Sequence, residues 1–374
     1  MLNNLSITEV LLFSVFMLSL IVQLGYYWGV FSHFSFYKKQ TTVNDQKPIS
    51  IVICARNESA NLKKNMYSIL EQSYPEFEVI VINDCSWDDS GLFLEELEKQ
   101  YKHLKVLTIQ EQEKYQHGKK FALTLGIKAS RYDILLMIDA DCIVQNKNWA
   151  SIMQNNFNNN TDIVLGYGGY RKKGGLLNRV IRFDTFYTAL QYLSFSLMGM
   201  TYMGVGRNLA YKKSVFFKNK GFASHQHILS GDDDLFVNEV ATKTNVKVEV
   251  DPQSFTSSEP ETLWRNWFRQ KHRHFSTGKY YKVKHKLTLG ILSVSHFFFY
   301  VSLIALLVLQ FEWRLVLILF LVRLISQLII FGKAMKRLDE WDIWLLSPIF
   351  DLFGFIFYPV LSVSNLFIKV NKWK

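Results

Sequence analysis

The sequence predicts an α/β domain built on a mostly parallel sheet, with membrane-spanning helices before and after it. Three observations predict this class. Between residues 49 and 138, four short apolar runs alternate with stretches whose apolar residues recur at helical spacing, the pattern of successive βαβ units. Polar clusters fall at the C-terminal ends of those runs, at 56–58, 83–88 and 139–141, where open α/β sheets bind ligands. Apolar segments long enough to cross a bilayer lie on both sides of this region.

Taken in order, residues 7–30 hold one acid, Glu9, ahead of a long apolar body. The segment is too long for the core of a signal peptide and has no basic residues in front, so it predicts a transmembrane helix. His33, Lys38 and Lys39 follow it and set its C-terminal end on the cytoplasmic side. A polar linker over 41–48 leads to a buried-type strand at 49–55 and the loop Arg56-Asn57-Glu58-Ser59. Leu62, Met66, Ile69 and Leu70 then mark one face of a helix. A second strand, 77–82, runs into Asn83-Asp84-Cys85-Ser86, and Asp88 or Ser90 can cap a helix carrying Phe93, Leu97 and Tyr101. A third strand spans 103–109. Gly118 opens a helix expected to turn Phe121 and Leu125 inward, and a fourth strand, 133–138, ends in Asp139-Ala140-Asp141.

In extended geometry the side chains of Asp139 and Asp141 share one face. Two carboxylates on one face repel unless a cation lies between them, and a hard divalent ion carrying phosphates is the natural partner. Taken alone, the triplet suits a solvated loop equally well. No G-x-G-x-x-G and no Walker lysine motif accompanies it, which argues against a dinucleotide or P-loop enzyme. Further on, 149–157 predicts a helix and 162–168 a strand. Residues 178–200 form an amphipathic, aromatic helix, either interfacial or part of the core. The glycine-rich stretch 204–211 ends strand-like, and Asp232, Asp233 and Asp234 crowd one helix start. Capping explains one of these acids, not three.

Lys and Arg number 43 against 32 acids, a net charge of +11. Eight of the bases lie within 264–286, which has no acid. Nucleic acid is a conceivable partner for such a stretch, but its place beside apolar spans favours anionic lipid headgroups. Cys54, Cys85 and Cys142 each follow an apolar run without metal-ligand spacing, as small buried residues of a reduced compartment do. Residues 287–309 and 315–331 predict two spans joined by a short link, and Lys333, Lys336 and Arg337 return the chain to the basic side. Residues 343–370 contain Pro348, Asp351 and Pro359, so they predict either a fourth span or a broken, partly interfacial segment. Lys369, Lys372 and Lys374 fit poorly with an external end. The expected division is a membrane helix and linker at 1–42, a cytoplasmic domain at 43–260, a basic interfacial or gating segment at 261–286 and a membrane region of two to three spans at 287–374.

Four motifs in order carry a resemblance over about residues 48–280. Cys54-Ala55-Arg56-Asn57-Glu58 and Asn83-Asp84-Cys85-Ser86 resemble the two nucleotide-binding loops of family-2 glycosyltransferases with a GT-A fold, of the membrane-embedded kind. Asp139-Ala140-Asp141 resembles their metal motif, and Gly231-Asp232-Asp233 the acid pair whose second member is the general base. Gly118-Lys119, with Ala122 and Leu123, resembles the lysine element near the donor. Gln270-Lys271-His272-Arg273-His274 resembles the Q-x-x-R-W signature of cellulose, chitin and hyaluronan synthases, with His274 where tryptophan is expected.

The resemblance implies a GT-A nucleotide-sugar-binding domain, Rossmann-like in its sheet, that transfers sugar with inversion in one displacement. The donor is a nucleoside diphosphate sugar, with UDP expected, and the acceptor a membrane-associated lipid or growing polysaccharide. Mg²⁺ or Mn²⁺ would be held through Asp141 with Asp139 nearby. Arg56, Asn57, Glu58 and Asp84 would hold the nucleoside, and Lys119, Asp139 and Gln270 complete the donor contacts. Arg273 would stabilise leaving-group charge, and Asp233, beside Asp232, would take the acceptor proton. The protein would sit in a bacterial inner membrane with this domain in the cytoplasm and no nucleic acid partner. Trp264 and Trp267 offer acceptor stacking or interfacial anchoring. The rival from another class is a catalytically silent membrane subunit that binds nucleotide sugar. Residues 204–211 and 231–234 are expected to carry sugar selectivity.

Overall fold

The structure, a computed structural model, describes residues 6–39, 45–110 and 118–367. Residues 41–44 of the predicted linker and Lys369, Lys372 and Lys374 lie outside them. The described residues fall into two compact units, one formed by 39–280 and the other by the segments up to 38 and from 281 onward.

The larger unit is built on ten strands: β1 (Ile49–Ala55), β2 (Phe77–Asp84), β3 (Leu104–Ile109), β4 (Ile134–Met137), β5 (Cys142–Val144), β6 (Ile163–Leu165), β7 (Gly168–Tyr170), β8 (Leu209–Lys212), β9 (Val246–Val248) and β10 (Thr256–Ser258). Seven of them form one sheet in the order β3-β2-β1-β4-β8-β6-β9. β1 to β4 are mutually parallel, β8 runs antiparallel to both its neighbours, and β6 pairs with β9 in parallel. This is the mostly parallel sheet that the alternating apolar runs demanded: every residue of β1 is buried, which is possible only with both faces covered. Strand order reverses between β1 and β4, the switch point at which doubly wound sheets open a crevice. Ala55 pairs with Asn83 and Val52 with Met137, so the segments following β1, β2 and β4 leave the same edge.

One face of the sheet packs Ile51, Ile53, Val79, Val81 and Leu136 against Leu62, Met66, Ile69, Leu94, Leu97 and Trp149. The helix Lys119–Ala129 covers strands β1 and β2 with Ala122, Leu123, Gly126 and Ile127, while Phe121 and Leu125 are only half-buried. The inward face is therefore turned by about one residue from the expected one. Gly126 explains the turn: a Cβ there would stand 2.3 Å from Ile82 Cδ1 and 3.1 Å from Val52 Cγ1, so the helix comes closest where it has no side chain.

The single strand expected at 162–168 is two. β6 belongs to the large sheet and β7 to a second one ordered β5-β10-β7. The corner between them is built on Asn208, fully buried, whose Nδ2 donates to Tyr167 O (3.0 Å) and Ser254 O (2.7 Å) while its Oδ1 accepts from Trp149 Nε1 (3.1 Å). A Cβ on Gly166 would lie 2.5 Å from that carboxamide. The helix Leu176–Leu197 is buried along most of its length, and Tyr192 donates to Gly166 O (2.8 Å), so of the two expectations for 178–200 it follows the core helix.

The smaller unit contains four helical segments long and apolar enough to cross a membrane: Ile7–Ser35, Val283–Val308, Trp313–Arg337 and Trp341–Asn365. The first includes a π-helical stretch, Tyr27–Phe31. The fourth opens with a 3₁₀ stretch, Trp341–Leu346, and continues as Ser347–Phe367 with Pro359 inside it. Its length suits a span rather than the broken segment. Phe16, Phe299, Leu303, Leu306 and Val316 pack together, with the rings of Phe16 and Phe299 stacked at 5.2 Å. Polar side chains from all four segments meet among them. Arg323 pairs with Asp351 at 2.9 Å, Asp351 accepts from Tyr300 Oη (2.7 Å) and contacts His296 Nε2 (3.1 Å), and Arg323 donates to Gln23 Oε1 and Gln327 Oε1, both at 3.1 Å.

Candidate active site

A cleft at the edge of the large sheet is lined by Cys54, Lys119, Asp139, Gly206, Asp232 and Asp233, with Leu123, Met137 and Tyr211 beneath. Lys119 is the first residue of its helix. Its Nζ lies 2.8 Å from Asp139 Oδ1 and 2.7 Å from Asp232 Oδ2, so one ammonium bridges two segments far apart in the chain. Burial opposes its charge, but Asp139, Asp232 and Asp233 hold it well above the ordinary lysine range. Burial likewise works against the Asp139 carboxylate, yet Lys119, joined by Arg207 and Arg273, keeps it below the usual range.

Asp141 stands differently. Among the described residues no cation lies within 4.0 Å of it, and its polar contact is Cys142 Sγ at 3.6 Å. Burial and the charge of Asp139 push its carboxyl up. A carboxylate so placed lacks a cation. The donor set is hard oxygen, which suits Mg²⁺ or Mn²⁺, and such ions commonly take one or two protein carboxylates with the remaining ligands from phosphates and water. Among the described residues no group of three or more His, Cys, Asp and Glu is arranged to hold a metal ion by itself.

The three consecutive acids have three different partners. Asp232 meets Lys119. Asp233 caps the helix Asp234–Val240: its Oδ1 accepts from Asp234 N and its Oδ2 from Gly206 N, both at 2.7 Å. Asp234 Oδ1 accepts from Leu235 N (2.8 Å) and its Oδ2 from Thr277 Oγ1 (2.5 Å). Burial, then the charges of Asp232 and Asp234, raise the Asp233 carboxyl to about 7. A Cβ on Gly206 would stand 3.3 Å from Asp233 Oδ2 and 3.7 Å from Asp139 Oδ1, so this glycine keeps the two carboxylates close.

Among the other sequence-predicted residues, Arg56 is half-buried beyond β1 and Asp84 is buried as the last residue of β2. Asn57, at φ 53°, donates its N–H to Ser86 Oγ (2.9 Å) and accepts from Trp87 N (3.0 Å), latching the loops after β1 and β2 together. Glu58 Oε2 accepts from Asn61 Nδ2 (2.5 Å). Gln270 and Arg273 lie on the helix Trp264–Phe275, which Lys271 anchors to Asp184 at 2.6 Å. Tyr170 Oη approaches Gln270 Oε1 at 3.5 Å. Burial and the neighbouring cations Lys271 and Arg273 hold His274 well below the ordinary histidine range, so it is neutral. Trp267 is buried, which removes it from acceptor stacking and anchoring alike, whereas Trp264 is partly exposed.

Sequence reading missed Arg207. Its guanidinium lies over the Tyr170 ring, 4.4 Å from the centroid, and its Nη1 donates to Gly169 O at 3.2 Å. Its position in the glycine-rich run at 204–211 was the available signal; the fold alone carries it to the Asp139–Asp141 pair.

Residues 50–218 match the family described as Glycosyl transferase family 2. Poly-β-1,6-N-acetyl-D-glucosamine synthase of Staphylococcus epidermidis is 27% identical over 177 residues, 44% of this chain and 42% of that protein. The chain thus spans less than half the length of these relatives. The probable glycosyltransferase YdaM of Bacillus subtilis is 24% identical over 274 residues, 68% of this chain and 62% of that protein. The mannosyltransferase PcManGT of Pyrobaculum calidifontis, solved with GDP-Man and Mn²⁺, superposes with a TM-score of 0.59 at 15% identity, over 92% of this chain and 99% of that one. The parallel sheet, the edge cleft and the superposition agree on a GT-A fold, within which residues 50–218 match glycosyl transferase family 2.

Proposed function

We propose that the protein is a membrane-bound inverting glycosyltransferase that moves a sugar from a nucleoside diphosphate donor, with UDP as the expected nucleotide, to a membrane-associated lipid or growing polysaccharide. One observation carries the reading. Lys119 ties Asp139 and Asp232 together, which brings a carboxyl held near neutrality, Asp233, to the same cleft as the Asp139–Asp141 pair. A general base works best when its pKa lies near the working pH, and such help is typically worth about 10²–10⁴-fold.

Asp233 takes the proton of the acceptor hydroxyl in this scheme, and its bonds to Gly206 N and Asp234 N orient the carboxylate. Asp232 is spoken for by Lys119 and acts through charge. Asp141 with Asp139 would hold Mg²⁺ or Mn²⁺, which when bound supplies positive charge against the departing diphosphate. The Arg56–Asn57–Glu58 loop and Asp84 line the nucleoside side, and Gln270 and Arg273 approach from the helix Trp264–Phe275. Arg273 adds positive charge on the leaving-group side. The named activity of the staphylococcal relatives supports a polysaccharide product, and the ligands of PcManGT support a nucleoside diphosphate sugar with a divalent metal. Gln270 and Arg273 support kinship with the cellulose, chitin and hyaluronan synthases, and His274 departs from them. The division at 42, 260 and 286, with a cytoplasmic catalytic domain on a bacterial inner membrane, accords with the positions of the four apolar helices and the basic residues near their ends.

The test is a donor screen. Membranes containing the protein are supplied with UDP-N-acetylglucosamine, UDP-glucose and GDP-mannose; free nucleoside diphosphate is measured, and lipid and polymer fractions are weighed by mass spectrometry. Release of nucleoside diphosphate with sugar incorporation from one donor, lost in Asp233→Asn, is expected. Donor binding without release from any of them would instead support the silent subunit.

A further inference from the structure

We propose that Lys120 is a positioning residue for the general base: its ammonium, clamped on two backbone carbonyls of the loop ahead of the acids, sets the register of Asp232 and Asp233 against the cleft and takes no part in holding the donor. The inference rests on the reading of Asp233 as the base. It goes beyond that reading by naming what keeps the carboxylate in place while the charges of the cleft change.

Lys120 is the second residue of the helix Lys119–Ala129 and is 4% exposed. Its Nζ donates to His225 O at 2.7 Å and to Ile228 O at 2.9 Å. Among the described residues no carboxylate lies within 4.0 Å of it. Burial lowers its ammonium to about 8, while the charges of Asp232, Asp234, Asp233 and Glu239 pull the other way. A buried ammonium hydrogen-bonded only to carbonyls is costly, and a methionine of similar length would fill the space without that cost. What the lysine adds is the pair of hydrogen bonds, and with them a fixed distance between its helix and the loop.

The loop leads directly into the acids. Ile228 stands four residues ahead of Asp232. Between them Gly231 turns the chain at φ 96°, so close to Leu235 that a Cβ would stand 2.5 Å from its Cδ1. Upstream, the rings of Phe222 and Phe236 lie 5.9 Å apart and His225 Nδ1 meets Glu239 Oε1 at 3.2 Å, so the loop and the helix Asp234–Val240 form one body. Lys120 ties that body to the helix that also carries Lys119. The ties made inside the cleft end on carboxylates: Lys119 on Asp232, and Gly206 N on Asp233. Such charge-assisted bonds weaken when Asp233 takes a proton or a diphosphate competes for Lys119. The Lys120 clamp ends on carbonyls, which accept whatever the charge of the acids. It therefore holds Asp233 in register through the proton transfer itself.

The experiment uses membranes containing the full chain, with membranes lacking it as background. Release of nucleoside diphosphate is measured from UDP-N-acetylglucosamine, UDP-glucose and GDP-mannose, and binding of radiolabelled UDP and GDP with Mn²⁺ counts the folded sites. Wild type, Lys120→Met, Asp233→Asn and the double variant are compared per site. Lys120→Met should bind nucleotide within about threefold of the wild type and lose about 10²-fold in turnover, the cost of displacing a reacting group by about 1 Å. On top of Asp233→Asn it should cost less than about threefold, because the group it positions is gone. Turnover of Lys120→Met within about threefold of the wild type, nucleotide affinity that falls in step with turnover, or a full loss of about 10²-fold on top of Asp233→Asn overturns the inference and leaves the base reading standing. Where Lys120→Met binds no nucleotide, Lys120→Gln is read by the same criteria, and loss of binding in both overturns the inference. Wild-type turnover in Asp233→Asn, or no release by the wild type from any donor, overturns the base reading and the inference with it.

Discussion

Asp351→Asn should destabilise the membrane unit by about 3 kcal/mol, mostly through what it does to Arg323. Asp351 receives Tyr300 Oη at 2.7 Å, Arg323 Nη2 at 2.9 Å and His296 Nε2 at 3.1 Å. The side chains of Arg323 and Asp351 are 1% and 5% exposed. Individual hydrogen bonds between membrane helices are worth only about 0.6 kcal/mol on average, because a helix separated in the bilayer finds other partners. An unbalanced arginine at the centre of a span costs about 2.5–3.5 kcal/mol, so the charge dominates. Arg323→Gln should cost less, about 2 kcal/mol, since Asp351 keeps Tyr300 and His296. The double variant is neutral and should cost no more than Arg323→Gln, giving a coupling of about 3 kcal/mol. The assay is a double-mutant cycle in mixed micelles titrated with dodecyl sulfate, read through the stacked pair Trp341 and Trp344. Single effects that add within about 0.5 kcal/mol would refute the reasoning, for they would mean that the two charges do not depend on each other.

Further predictions concern the cleft. Sugar transfer should rise with pH to a plateau above about 7, because Asp233 accepts a proton only when ionised and burial with Asp232 and Asp234 holds its carboxyl there. Asp233→Asn keeps an acceptor for the helix cap, so it should fold normally, bind donor and lose about 10²–10⁴-fold in turnover. Asp141→Asn should abolish the dependence of donor binding on Mn²⁺, measured by titration calorimetry. Lys119→Met should lower stability by about 2 kcal/mol in denaturant melts, less than a fully buried pair because Asp139 is 30% exposed. Gly206→Ala places a methyl 3.3 Å from Asp233 Oδ2 and should reduce turnover without loss of the fold.

How legible was this molecule? β1 matches the predicted strand residue for residue, and β2 to β4 match within two, because short, mostly apolar runs between polar clusters leave little freedom. The clustering of Asp84 and Asp139 at one edge also followed from the βαβ order. The helix at 119–129 was misjudged by one position, since a glycine's advantage appears only when a sheet is there to approach. The split of 162–168 into two strands depends on Asn208, which sits forty residues later in the sequence and donates into the corner. Likewise no spacing rule could say which of three adjacent aspartates faces the cleft.

The sequence by itself determined the alternation of strands and helices, the apolar spans and the edge at which the acids gather, because these follow from periodicity, length and charge along the chain. Only the tertiary structure decided which charges meet. Lys119 bridges Asp139 and Asp232, Arg207 stands near Asp141 without touching it, and Arg323 meets Asp351. Electrostatic energy depends on distances of a few ångströms in a dry setting, and those distances are fixed by packing between segments that the linear order leaves far apart.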